Sequence, residues 1–241
     1  MDRRLLAWAT PNRHGPACPG HPSQHVPRQL ARTSRAMTVR LWLFTDADRL
    51  PDPRAAVAAL PRGRAGVVLR HDSDPNRAAL GGDLARICRE RRLLLVVAGD
   101  VRLAAALGAG VHLRGGSWPG FPRPRGVVTS SAHSVRDLWR AARAGADLAF
   151  LSPVFATSSH PGAAGLGPVR WSAMARCPIP GRMRVGALGG VDGRSVHRLP
   201  RSTRAVGAIA ALAPDRRTGL RQPDDSGDAQ KPEFRLRTVD L

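Results

Sequence analysis

Gly145-Ala-Asp-Leu-Ala-Phe-Leu-Ser-Pro-Val-Phe-Ala-Thr-Ser-Ser-His-Pro-Gly-Ala-Ala-Gly-Leu-Gly167 is the stretch on which the reading of the fold turns. Leu148 to Leu151 is short and apolar without interruption, as suits a strand covered on both faces of a parallel sheet. Ser152-Pro153 ends the ladder, because proline has no amide hydrogen to donate. A loop rich in glycine and hydroxyls follows, with Thr157, Ser158, Ser159 and His160 at the strand's C-terminal end. Ligands of parallel α/β folds bind at that end.

The same grammar extends in both directions. Upstream, Val39 to Phe44, Gly66 to Arg70, Leu93 to Ala98, Val111 to Leu113 and Gly126 to Ser130 read as strands, and downstream so do Arg184 to Leu188 and Ala205 to Ile209. Helices are predicted over Asp52 to Leu60, over Arg77 to Arg92 with Leu80, Leu84, Ile87 and Cys88 at helical spacing, and over Pro168 to Arg176. Asp100 is placed to cap a helix from Val101 to Leu107 that Gly108 stops. Ser134 with Asp137 resembles a capping box, opening a helix with Val135, Leu138, Trp139 and Ala142 on its apolar face and Arg136, Arg140 and Arg143 on the other. Gly145 ends it. Eight strand signals alternating with helices predict an α/β chain with a single (β/α)8 TIM barrel over residues 38–213. A doubly wound open sheet is the alternative, but its glycine-rich first turn is missing from Thr45-Asp-Ala-Asp-Arg49.

Residues 1–37 hold arginine, proline and histidine with Asp2 as their only acidic residue, and lack hydrophobic periodicity. They are expected to be a disordered basic extension, either a targeting segment or a stretch upstream of a start at Met37. The second is favoured, since Leu5 to Ala9 is too short for a signal core and the prolines from Pro11 onward oppose an amphipathic helix. Residues 214–241 are polar and aperiodic and read as a disordered tail.

Composition narrows the function classes. The formal charge of +20 is carried by 37 arginines and Lys231 alone, a bias of coding preference more than of partner. Nucleic-acid binding would interleave basic residues with aromatics, but Phe and Trp are sparse and Tyr is absent. Cys18, Cys88 and Cys177 fit neither a disulfide framework nor a zinc knuckle, so reduced thiols and a cytoplasmic protein are expected. No apolar run approaches the roughly 20 residues of a membrane span. Whether barrels pair is left open.

Groups just past strand ends carry the chemistry: Asp46, Arg70, Asp100, Ser131, His133, Thr157, Ser159, His160, Gly189, Gly190 and the Ala210 turn. Gly189-Gly190 with the turn at Ala210 offers unobstructed amides, either a barrel phosphate site or a pair of helix-cap glycines. His133 suits proton exchange near neutral pH, or a structural bond to a backbone carbonyl. His112, inside an apolar strand, reads as structural.

These segments carry a family resemblance. Val101 to Leu113, Ser131-Ala-His-Ser134, Ser152-Pro-Val-Phe-Ala-Thr157 and Ala187-Leu-Gly-Gly-Val191 resemble the thiamine phosphate synthase/TenI family over residues 39–212. The resemblance implies a (β/α)8 barrel acting on small phosphorylated substrates. Synthases of the family join hydroxymethylpyrimidine diphosphate to thiazole phosphate with Mg2+, whereas TenI members isomerise the thiazole phosphate. On that basis Arg70 and His133 are the catalytic candidates. Ser131, Thr157, Ser159, His160, Gly189, Gly190 and Ala210 are the substrate contacts, and Asp100 is the metal ligand. The departures lie in the diphosphate half: Val68-Leu-Arg-His-Asp72 stands for Gln-Leu-Arg-Glu-Lys, Ala98-Gly99 for Asn-Asp, Ser117 for the second acidic ligand and His160 for a loop lysine.

Overall fold

The computed structural model describes residues 1–10, 38–115, 126–157 and 164–213. Its centre is a closed barrel of parallel strands in sequence order. They are β1 (Leu41–Phe44), β2 (Ala65–Leu69), β3 (Leu94–Ala98), β4 (Gly110–Leu113), β5 (Val128–Ala132), β6 (Leu148–Leu151), β7 (Arg184–Ala187) and β8 (Val206–Ala208). Closure is made where Leu41 of β1 registers with Val206 of β8. The expected barrel is therefore present. So are the helices α2 (Arg54–Ala59), α3 (Arg77–Glu90), α4 (Val101–Ala106), α5 (Val135–Arg143) and α6 (Gly167–Ala175), each within a few residues of its sequence-based bounds.

Alternation along the strands sorts the core into two layers. Trp42, Phe44, Val68, Val96, Phe150 and Leu148 pack inside the barrel. Leu41, Leu43, Val67, Val97, Ala149 and Leu151 face outward against the helices. The interior is filled by aromatic rings, with Phe44 and Phe150 edge to face at 4.9 Å and Trp42 against Phe150 at 5.8 Å. Rings of this size need small neighbours. Glycines at 66, 186 and 207 supply them: a Cβ on Gly207 would stand 2.6 Å from Phe44 Cε2.

The local signals act largely as read. Asp100 accepts from Leu103 N at 2.9 Å and caps α4. Ser134 Oγ accepts from Asp137 N at 3.1 Å and caps α5. The returning Asp137 carboxylate takes His133 N at 3.0 Å, one residue earlier than a capping box requires. One face was misjudged: α5 buries Leu138 and Ala141, while Trp139 stays exposed with the Arg143 guanidinium 5.7 Å from its ring centroid.

The expectation of disorder before residue 38 fails for the first ten residues. Arg3–Ala9 forms a helix, α1, capped by Asp2, whose side chain accepts from Arg4 N and Leu5 N. Leu5 is fully buried. Asp2 N donates to Ala211 O at 2.9 Å at one rim, and the Arg40 guanidinium lies 4.2 Å over the Trp8 ring at the other. The physical reason lies in the barrel wall. β7 and β8 are followed by short 3-10 turns (Ser195–Arg198 and Ala210–Leu212) rather than by long helices, and α1 covers that side. Residues 11–37 and 214–241, also read as disordered, lie outside the described residues.

Candidate active site

Two groups of side chains meet at the C-terminal rim. The first comes from β1 to β4. Thr45, directly after β1, organises its start: its Oγ1 accepts from Arg70 N at 2.9 Å and lies 2.9 Å from His71 Nδ1, and its carbonyl accepts from Arg70 Nε at 2.9 Å. Arg70 Nη2 then pairs with Asp46 at 2.8 Å. Burial lowers the Arg70 pKa, and the Asp46 charge works against that. Burial would raise the Asp46 pKa, but hydrogen bonds and charge from Arg49, with the Arg70 charge, hold it below the ordinary carboxylate range. Arg70 is thus a fixed, partly buried cation at a strand end, as read.

Past it, Asp72 is held by Arg77 Nη2 at 3.1 Å on one oxygen and by Arg114 Nη2 on the other. Arg77 also donates to Ala98 O at 2.6 Å and faces Asp100 Oδ2 at 3.7 Å. A cleft of about 420 Å³ opens among Asp46, Arg70, Asp72, Arg114, His112 and Ser131. Neither Arg114, which lines this cleft, nor Arg77, which stands behind Asp72, is among the sequence-based candidates. Arg114 follows β4 as Arg70 follows β2, so strand-end position was the available signal for it. Arg77 reaches the rim from the first turn of α3, for which the sequence carries no such signal.

The second group comes from β5 to β8. His112 joins it to the first from within the barrel: its Nδ1 lies 2.8 Å from Thr129 Oγ1 and its Nε2 lies 2.9 Å from Ser131 Oγ. Burial, with the charges of Arg70 and Arg114, pushes its pKa down to about 3, so it is neutral. Ser131 is therefore oriented by a structural histidine, as expected for His112. His133 is exposed, and its Nδ1 lies 2.9 Å from Ser152 O. A carbonyl accepts only, so Nδ1 carries a proton. The structural reading of His133, a bond to a backbone carbonyl, is met at Nδ1.

The β6 and β7 loops are zipped together. Val154 N donates to Leu188 O at 2.9 Å and Phe155 N to Gly189 O at 3.1 Å. Gly189 and Gly190 take positive φ of 92° and 63°. Their amides donate to no acceptor among the described residues. Cβ atoms there would stand 2.7 Å from Pro153 Cα and 2.8 Å from Phe155 Cβ, so glycine is required for the approach as well as for the dihedral. Thr157 ends this described loop, half-buried, with Ser159 and His160 outside the described residues. Ala210 starts the 3-10 turn after β8.

A divalent cation does not fit the carboxylates present. Asp100, the expected ligand, spends one oxygen on the α4 cap and turns the other toward Arg77, while Asp72 is bracketed by two guanidinium groups. Among the described residues no three His, Cys, Asp or Glu cluster to hold a metal. Ser117 lies outside them.

A closed parallel barrel with its polar groups gathered on the C-terminal rim defines a (β/α)8 barrel enzyme. A family model described as thiamine monophosphate synthase matches residues 41–212. The chain belongs to that family. It is 32% identical over 183 residues to the thiamine-phosphate synthase of Halorhodospira halophila, covering 67% of this chain and 78% of that one. It is 36% identical over 93 residues to the putative thiamine-phosphate synthase 2 of Aquifex aeolicus, covering 36% and 50% of the two chains. The solved thiamine phosphate pyrophosphorylase of Pyrococcus furiosus superposes with a TM-score of 0.59 at 24% identity, over 74% of this chain and 88% of that one, a likeness of fold.

Proposed function

We propose that this barrel is a divergent thiamine phosphate synthase, condensing hydroxymethylpyrimidine diphosphate with thiazole phosphate. The observation that carries the reading is the zipped pair of rim loops, in which the Gly189 and Gly190 amides meet no acceptor among the described residues. Backbone amides so arranged suit a phosphate. Thiazole phosphate seated there would extend its ring toward Ser131 and His133. The reaction breaks the bond between the pyrimidine methylene and the diphosphate oxygen, which leaves with the electron pair, and forms a bond from that carbon to the thiazole nitrogen. Arg70, held by Thr45 and Asp46, faces the developing charge of the leaving group. Ser159, His160 and Ala210 complete the substrate contacts in this reading. The Mg2+ of the resemblance finds no fitting ligand set among the described residues, and no step here depends on it.

A second reading is favoured by one observation. His133 Nδ1 donates to Ser152 O, which in the neutral ring leaves Nε2 as the nitrogen able to act as a general base, so proton transfer on a bound thiazole phosphate is the TenI-like alternative. Purified protein given both substrates decides between them. Thiamine phosphate production supports the synthase, while proton exchange without condensation, lost in His133→Asn, supports the tautomerase. No helix among the described residues is long and apolar enough to cross a membrane. A cytoplasmic site of action accords with the unpaired Cys88 and Cys177, Cys88 being buried with its thiol pushed up to about 12.

A further inference from the structure

The carboxylates that a divalent cation would use are already taken by guanidinium groups, and that substitution has a chemical meaning. Asp72 lies between Arg77 and Arg114, one on each oxygen. Asp100 is divided between the α4 cap and Arg77. Arg77 is the fixed member: its side chain is 16% exposed, Nη2 is tied to Ala98 O, and its Nε is buried without an acceptor among the described residues. Arg70 stands on the neighbouring strand end, close enough that the charges of both Asp72 and Arg114 act on it. Resting on the synthase reading, we propose that the cleft between the ends of β2 and β4 takes the substrate's diphosphate directly on Arg70 and Arg114, which line it, and on Arg77 behind Asp72, with no divalent cation.

Three physical arguments support this. A cation placed on Asp72 would sit between two permanent positive charges and be repelled by both, whereas an anion there would be attracted by both. The guanidinium fork matches phosphate oxygens in pairs, and arginine stays charged even when partly buried. Asp72 is the exchangeable partner: its side chain is 42% exposed and is held by those two arginines. A diphosphate carries more charge than a carboxylate, so it displaces Asp72 and inherits both forks. Asp72 then serves as a resting counter-ion that keeps the arginines together in the empty cleft.

The test is calorimetric titration of the full chain with inorganic pyrophosphate, in EDTA and then in excess Mg2+, with thiazole phosphate titrated in parallel. The expected result is pyrophosphate binding in EDTA that Mg2+ does not strengthen. Asp72→Asn, which frees two guanidinium groups, tightens that binding several-fold, whereas Arg114→Gln weakens it about tenfold, the worth of one charge-assisted contact. Circular dichroism establishes that each variant is folded. Pyrophosphate binding that requires Mg2+, or that weakens in Asp72→Asn, overturns the proposal. If thiazole phosphate binds and pyrophosphate does not, the guanidinium site falls and the family reading stands. If neither binds, both fall.

Discussion

Trp42 and Gly66 are register partners on β1 and β2, and the indole lies where a side chain at 66 would be. A Cβ built on Gly66 falls 2.6 Å from Trp42 Cδ2, and Trp42 is fully buried with an Nε1–H that meets no acceptor among the described residues. The ring therefore cannot swing away without disturbing Phe150, which packs against it. Gly66→Ala is expected to destabilise the barrel by about 3 kcal/mol, the upper end of ordinary overpacking. Trp42→Phe in the same chain should recover part of that loss, because the smaller ring yields space and removes the unpaired donor. Urea unfolding of the two single variants and the double variant measures the coupling.

Leu5 reports on whether α1 is part of the barrel. It is fully buried on the barrel wall, in one core cluster with Leu41, Val206 and Leu212. Leu5→Ala is expected to cost about 3 kcal/mol, as for other buried leucines, and the exposed Arg3→Ala roughly nothing. Equal stability of the two variants would show that the helix does not hold to the wall in solution.

Much of this was legible in order along the chain, because the informative signals are local. The apolar run at Leu148 to Leu151, the Asp100 and Ser134 caps and the stop at Gly108 depend on neighbours a few residues away. The Gly189-Gly190 turn was legible for the same reason: it follows a strand directly. What was not legible depends on closure. Arg114 is one arginine among 37, and only the approach of β2 to β4 across β3 brings it onto Asp72. Leu5 and Trp8 read as a fragment of a tail, because the uncovered wall that receives them is assembled from β8 and β1, the strands that close the barrel. Trp139 misled in the opposite direction: its spacing suits the apolar face, but the wall is filled by Leu138 and Ala141, and the indole stays exposed with the Arg143 guanidinium over it.

His112 sets a pH dependence of stability. Its pKa is about 3 in the fold, against 6.5 for the free side chain, through burial and the charges of Arg70 and Arg114. The unfolded chain binds a proton below pH 6.5 that the folded chain refuses, so stability is full above that pH and falls as pH drops through the interval toward 3. The expected slope is about 1.4 kcal/mol per pH unit once well inside it. Asp46 and Asp137, both held below the ordinary carboxylate range, lose their contribution only at lower pH, so pH 4.5 to 6 isolates the histidine. His112→Gln should flatten the profile in that window, and an unchanged slope would assign it elsewhere.

Gly190 and Gly108 offer a controlled comparison of site against scaffold. Both are left-handed, with φ of 63° and 62°, so an alanine at either costs about 1–2 kcal/mol in backbone strain. Their surroundings differ. Nothing lies within 4 Å of a Cβ at Gly108, which only ends α4, whereas a Cβ at Gly190 would meet Phe155 Cβ at 2.8 Å and part the β6 and β7 loops. Gly190→Ala should therefore lose activity about tenfold or more beyond its effect on stability, since a displacement worth 1.4 kcal/mol at the phosphate amides is tenfold in rate. Gly108→Ala should lose only the stability of the backbone strain and keep its kcat/KM. The pair is read by thermal unfolding and by steady-state kinetics on both substrates, and a matched loss of activity in the two variants would remove the phosphate site from the Gly189-Gly190 loop.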